Sequence, residues 1–196
     1  MPAIWLLGLS GSGKTTLGSL LRLYLAGQGY DVEFIDGERF RRQNGISGFT
    51  PEDRMRNIDA IREASLQALA QGRICVVAAI TPYEAMRLKN REQLPLYREV
   101  WVRCGLATLV ERDTKGLYAR AAHDGVERLT GLSDAFDEPE SADIVIDTDI
   151  LSLAESYVAL RDFAETVLAE NAHWQEIRRE LPLGGMPAYA LPAYMA

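Results

Sequence analysis

A chain of 196 residues, 47% of them hydrophobic, is long enough for one globular domain and too apolar to be disordered. Its formal charge of −7 argues against a non-specific nucleic-acid binder, which carries a basic surplus, and no apolar run reaches the length of a membrane span. The N-terminus lacks the pattern of a signal peptide, and Cys75 and Cys104 sit in apolar runs, so both read as buried, reduced thiols of a cytoplasmic protein.

Ala3 to Leu7 is a short apolar run ending at Gly8, which predicts a strand. Leu17 to Leu25 has apolar residues at helical spacing, stopped by Gly27 and Gly29. Val32 to Ile35 predicts a second strand, closed by the pair Asp36-Gly37. Pro51 to Ala70 reads as a long helix, with Pro in its first turn and Gly72 after its end. The unbroken apolar run Ile74 to Ile80 fits a central parallel strand covered on both faces. A helix over Tyr83 to Glu92, a strand over Glu99 to Arg103 and a helix over Leu106 to Arg112 follow. Residues 114–140 are polar and too long for a simple connection. Ile144 to Ile146 and Leu151 to Ala172 are the last strand and helix, and the Pro- and Gly-rich tail from about Leu181 has no periodicity. Strands alternating with helices predict a three-layer α/β fold with a parallel sheet, over residues 1–172, with 173–196 as a C-terminal tail.

Gly8-Leu9-Ser10-Gly11-Ser12-Gly13-Lys14-Thr15, followed by Thr16, matches the P-loop pattern without a mismatch. Its glycines let successive N–H groups point at phosphate oxygens, and the helix after it adds its positive end. In this pattern Lys14 reaches the β- and γ-phosphates of ATP and the Thr15 hydroxyl holds Mg²⁺. Small size and the lack of an Asn-Lys-x-Asp guanine signature select small-molecule kinases from the P-loop proteins.

Three further segments fall at strand ends, where a parallel-sheet kinase keeps its acceptor. Asp36 in Asp36-Gly37-Glu38 is placed to take the proton of an acceptor hydroxyl or to hold Mg²⁺ through water. Arg54 and Asn57, three apart on a helix, share one face suited to an anionic group and a base or sugar edge, and Phe49 is placed to stack on a base. Thr50 with Asp53 also forms an ordinary helix cap. Ile80-Thr81-Pro82-Tyr83 follows the central strand, and residues 114–140 read as a lid in which Lys115 and Arg120 neutralise charge on the moving phosphoryl group.

In order from about Ile4 to Thr148, these segments resemble the adenylyl-sulfate (APS) kinase family. The family's Gly-Leu-Ser-Gly-Ser-Gly-Lys-Thr-Thr loop is matched at Gly8 to Thr16, and its Asp-Gly-Asp motif with a following Arg at Asp36, Gly37, Glu38 and Arg41. Gly48 to Ile58, Ile80 to Tyr83, Arg112 to Tyr118 and Leu129 to Leu132 match its remaining motifs. The chain departs from the pattern at Glu38, Asp59, Thr81, Leu129 and Ala135-Phe136-Asp137.

The resemblance implies a nucleoside-monophosphate-kinase-like fold and a homodimer using Mg-ATP. The reaction it implies is phosphorylation of the ribose 3′-hydroxyl of APS to 3′-phosphoadenylyl sulfate. Asp36 would be the catalytic carboxylate, beside Lys14 and Lys115. Glu38, Arg41, Phe49, Arg54, Asn57, Ile80, Thr81, Lys115, Leu117 and Leu129 would line the acceptor pocket, and Arg112 would flank the ATP adenine. The alternatives are a same-family kinase acting on a cytidine diphosphate derivative and a P-loop regulatory NTPase. The partners expected are a small nucleotide acceptor and a second copy of the chain, with neither nucleic acid nor membrane.

Overall fold

The computed structural model describes residues 1–113, 115–124 and 129–180. The tail from Leu181 onward, and Thr114 and residues 125–128 of the expected lid, lie outside the described residues.

Five parallel strands form one sheet in the order β2-β3-β1-β4-β5. They are β1 (Ala3–Leu7), β2 (Val32–Asp36), β3 (Ile74–Ala78), β4 (Tyr97–Arg103) and β5 (Ile144–Asp147). β1 is central and wholly buried. Its alternate residues feed two cores: Ala3, Trp5 and Leu7 face one, Ile4 and Leu6 the other. The first core is closed by α3 (Pro51–Ala70) and α4 (Glu84–Gln93), through Ile58, Ile61, Leu69 and Met86. The second is closed by α1 (Lys14–Gly27) and α7 (Leu153–Glu180), through Leu17, Leu21, Leu25, Leu160 and Ala164. The result is the expected three-layer α/β fold. No helix among the described residues is long and apolar enough to cross a membrane. Cys75 and Cys104 are free and buried.

Two short helices were not expected. α2 (Gly37–Gln43) starts at the Asp36-Gly37 pair expected only to close β2, because Asp36 is an N-cap: its Oδ1 accepts from Glu38 N at 3.1 Å and Arg39 N at 2.9 Å. α6 (Leu117–Asp124) lies in the expected lid, after α5 (Leu106–Arg112), and the Asp113 carboxylate accepts from Tyr118 N and Ala119 N at its start.

Element ends also differ. β3 stops at Ala78, short of Ile80: Ala78 pairs with Asp36, the last residue of β2, and with Leu6, the last residue of β1 that pairs with β3. β4 begins two residues before Glu99. α7 begins after Ser152, whose hydroxyl and amide form a capping box with Glu155, and runs past Ala172 to Glu180. Residues 173–180 contain neither Gly nor Pro, so nothing in them breaks the helix.

Candidate active site

The P-loop turns at the carboxyl end of β1. Gly8 has φ +142°, and a Cβ there would meet Val102 O at 2.3 Å, so packing against β4 admits only glycine. Gly13 caps α1 at φ +103° without a side-chain bond, which leaves the first N–H groups of the helix open toward the loop. Lys14 lies under the loop, its Nζ donating to Leu9 O at 2.6 Å and to Ser12 Oγ at 3.4 Å. Burial, then the charge of Lys115, lower its pKa to about 7.

α2 and the start of α3 build the facing wall. Thr50 caps α3 in a reciprocal box with Asp53, as the sequence suggests, and Gly48 at φ +89° makes room for the Asp53 carboxylate. This fixes the first turn of α3, and Arg54 and Asn57 both end up buried on its inner face. The wall and the loop meet at Asp36, whose Oδ2 accepts from Thr15 Oγ1 at 2.6 Å.

Between them lies a cavity of about 520 Å³. All the predicted site residues except Gly8, Ser12, Arg112 and Arg120 line it. Lys14, Arg41, Arg42, Arg54 and Lys115 face it against the carboxylates of Asp36 and Glu38, a local surplus of cations in a chain of net charge −7. Glu38 and Lys115 form an ion pair across the mouth. Asn57 Oδ1 and Thr130 Oγ1 are buried and lack a hydrogen-bond partner among the described residues. Such orphaned atoms are costly where they are buried.

The remaining residues occupy distinct places. Phe49 stands half-exposed at the rim, with the Arg41 guanidinium 4.8 Å and the Arg54 guanidinium 5.7 Å from its ring centre. Leu129 lines the cavity and packs with Cys104, Leu109 and Tyr118. Thr81 borders the cavity, but its hydroxyl turns into the core, where Oγ1 accepts from Trp5 Nε1 at 2.8 Å. Its φ of +50° is strained for a β-branched residue. Ser12 is buried within the loop. Arg112 lies outside the cavity and donates to Thr148 O at 2.6 Å. Arg120 does not face the cavity either: its guanidinium is engaged by Gly116 O and Lys115 O. Asp59 is also elsewhere, bonded to Lys89 and Arg62.

Several contributors were not singled out from the sequence. Tyr118 Oη donates to Ser10 O at 2.9 Å, tying α6 to the P-loop. Thr148 Oγ1 donates to Ser12 O at 3.1 Å from the end of β5. Asp134 pairs with Arg54 at 2.9 Å. Tyr118 falls inside a quoted motif, whereas nothing local marks Thr148 or Asp134.

Among the described residues no group of three or more His, Cys, Asp or Glu forms a metal cage. Thr15 and Asp36 do offer two adjacent oxygens. That small set suits Mg²⁺, which takes one or two protein ligands and fills its octahedron with water and phosphate oxygens.

Residues 2–147 match the family model for adenylylsulphate kinase. The chain is 38% identical over 147 residues to a probable adenylyl-sulfate kinase of Archaeoglobus fulgidus, across 74% of this chain and 95% of that protein. It is 39% identical over 147 residues to a probable bifunctional SAT/APS kinase 2 of Sorangium cellulosum, across 74% of this chain but only 25% of that relative's length. Its fold superposes on the Mycobacterium tuberculosis APS kinase in complex with AMPPNP and APS with a TM-score of 0.78 at 28% identity, covering 84% of this chain and 97% of the other.

Proposed function

The chain belongs to the adenylylsulphate kinase family, and on that premise we propose that it transfers the γ-phosphate of ATP to the ribose 3′-hydroxyl of adenylyl sulfate, giving 3′-phosphoadenylyl sulfate and ADP. The observation that carries this is a cavity in which a P-loop faces a cationic wall with an aromatic rim. A phosphate donor and an anionic nucleotide acceptor then meet in one enclosed space. Phosphoryl transfer needs mostly positioning and charge stabilisation, and such a cavity supplies both.

In this assignment the loop from Gly8 to Thr16 holds the ATP phosphates through backbone N–H groups, with Arg112 beside the adenine. Lys14 and Lys115 neutralise charge on the transferring group. Asp36 orients the acceptor hydroxyl and receives its proton. Thr15, with Asp36 through water, would hold Mg²⁺, which supplies neutralisation of the phosphate oxygens when bound. Glu38, Arg41, Phe49, Arg54, Asn57, Ile80, Thr81, Leu117 and Leu129 form the acceptor pocket. Thr81 contributes through its backbone and shape, since its hydroxyl is engaged by Trp5.

The cytidine diphosphate and regulatory alternatives lose support. The relatives that match along this chain are named for adenylyl sulfate, and a switch needs no convergent acceptor wall. We also assign the enzyme to the cytoplasm and to a homodimer, which analytical ultracentrifugation tests. The reaction is tested by ADP release with adenylyl sulfate, with cytidine diphosphate derivatives and with no acceptor. Release that depends on adenylyl sulfate supports the assignment; release indifferent to acceptor supports the regulatory alternative.

A further inference from the structure

The ion pair between Arg54 and Asp134 joins elements 80 residues apart, and it is largely buried: the side chains are 6% and 17% exposed. Arg54 also donates from Nε to Phe49 O at 3.1 Å. One guanidinium thus joins the backbone of Phe49 to the turn that carries Leu129 and Thr130, all three residues lining the cavity. That turn, residues 129–134, is closed by its own backbone: Gly131 N donates to Asp134 O at 2.8 Å and Asp134 N to Leu129 O at 3.2 Å. It carries Leu129 and Thr130, both on the cavity wall. The next residues are stitched to the loop after β3, where Asp137 N donates to Pro82 O and Glu84 N to the Asp137 carboxylate, each at 2.8 Å. This part of the expected lid is thus tied to the loop after β3.

We propose that Asp134 is a positioning residue that sets the width of the acceptor slot. It acts through Arg54, holding the Leu129 turn at a fixed separation from Phe49, the two apolar surfaces between which a planar base lies. A buried carboxylate against a buried guanidinium has a narrow choice of geometry, so the pair works as a spacer. The same contact orients Arg54 toward an anionic acceptor group. The proposal rests on the acceptor assignment above.

The test compares wild type, Asp134→Glu and Asp134→Asn by initial rates with adenylyl sulfate and ATP varied separately, and by thermal unfolding. Glu keeps the charge and moves it by one methylene. It is expected to raise the KM for adenylyl sulfate several-fold while leaving the ATP KM within about twofold. Asn removes the charge and is expected to raise the acceptor KM by about tenfold or more. An unchanged acceptor KM in a folded Glu variant overturns the proposal, as does an equal rise in both KM values. Failure of both variants to fold also overturns it, in favour of a purely structural pair. A wild-type enzyme that does not use adenylyl sulfate would instead sink the acceptor assignment, and this proposal with it.

Discussion

Thr15 Oγ1 donates a hydrogen bond to Asp36 Oδ2 at 2.6 Å. The contact bridges the P-loop after β1 and the cap of α2 after β2, two strands separated in the sheet by β3. It places the hydroxyl proposed to hold Mg²⁺ beside the carboxylate assigned to the acceptor. Asp36 caps α2 through Oδ1 and accepts from Thr15 through Oδ2, the oxygen that the proposed reaction turns toward the reacting groups.

Those tasks separate on substitution. Asn is as good an N-cap as Asp, so Asp36→Asn is expected to keep α2 while removing the charge. Turnover is expected to fall by about a hundredfold or more, the usual scale for a general base, with ATP affinity changed far less. Steady-state kinetics with a nucleotide-binding titration checks this. Equal losses in both would move Asp36 to the Mg-ATP side alone.

Lys14→Ala is expected to cripple transfer and leave the fold intact. The ammonium is buried at a desolvation cost and its two hydrogen bonds are local, so its removal leaves no distant partner stranded. The activity loss is expected to be on the order of a hundredfold to a thousandfold, with circular dichroism unchanged. Near-wild-type turnover would remove the P-loop assignment.

The lowered pKa of Lys14 makes nucleotide affinity depend on pH. In the free enzyme Lys14 titrates at about 7, chiefly because of burial. A bound polyphosphate raises that value, so binding takes up a proton above pH 7. Affinity is expected to level off below pH 7 and to weaken by up to about tenfold per pH unit above it. The same shift acts on stability. The unfolded chain binds the proton that the folded chain has lost, so this group's destabilisation is complete below about pH 7 and is relieved as pH rises from there toward 10.5. Isothermal titration of a non-hydrolysable ATP analogue at pH 7.5 and 8.5, in buffers of different ionisation enthalpy, reads both affinity and proton uptake. A flat affinity profile would contradict the shift.

No phosphoenzyme is expected on the path. The Thr81 hydroxyl is fully buried and held by Trp5, away from an incoming phosphate. Thr81→Ala is expected to cost about 1–3 kcal/mol of stability, because it strands the indole N–H. Its residual turnover is expected to be substantial. Radiolabel from the γ-phosphate trapped on Thr81 at a competent rate would refute direct transfer.

Much of the fold was legible because β1 and β3 are apolar runs and the first helix has apolar residues at helical spacing with glycine stops. The P-loop and the Arg54 and Asn57 face were legible because their chemistry is fixed by short spacing. α2 was hidden: its polar sequence Gly37-Glu38-Arg39-Phe40-Arg41-Arg42-Gln43 has no apolar stripe, and its stability comes from the Asp36 cap. α6 was hidden in the same way within a polar segment, behind Asp113. The inward turn of the Thr81 hydroxyl depends on Trp5, and the pairing of Arg54 depends on Asp134. Both are tertiary contacts between residues more than 70 positions apart, and no local pattern encodes them.

The most direct test of the acceptor assignment is ³¹P NMR of the product formed from ATP and adenylyl sulfate by the purified chain. The expected spectrum gains one phosphomonoester resonance, coupled to the ribose 3′ proton, in one-to-one ratio with ADP. A spectrum showing only inorganic phosphate beside ADP, or no consumption of adenylyl sulfate, would contradict it.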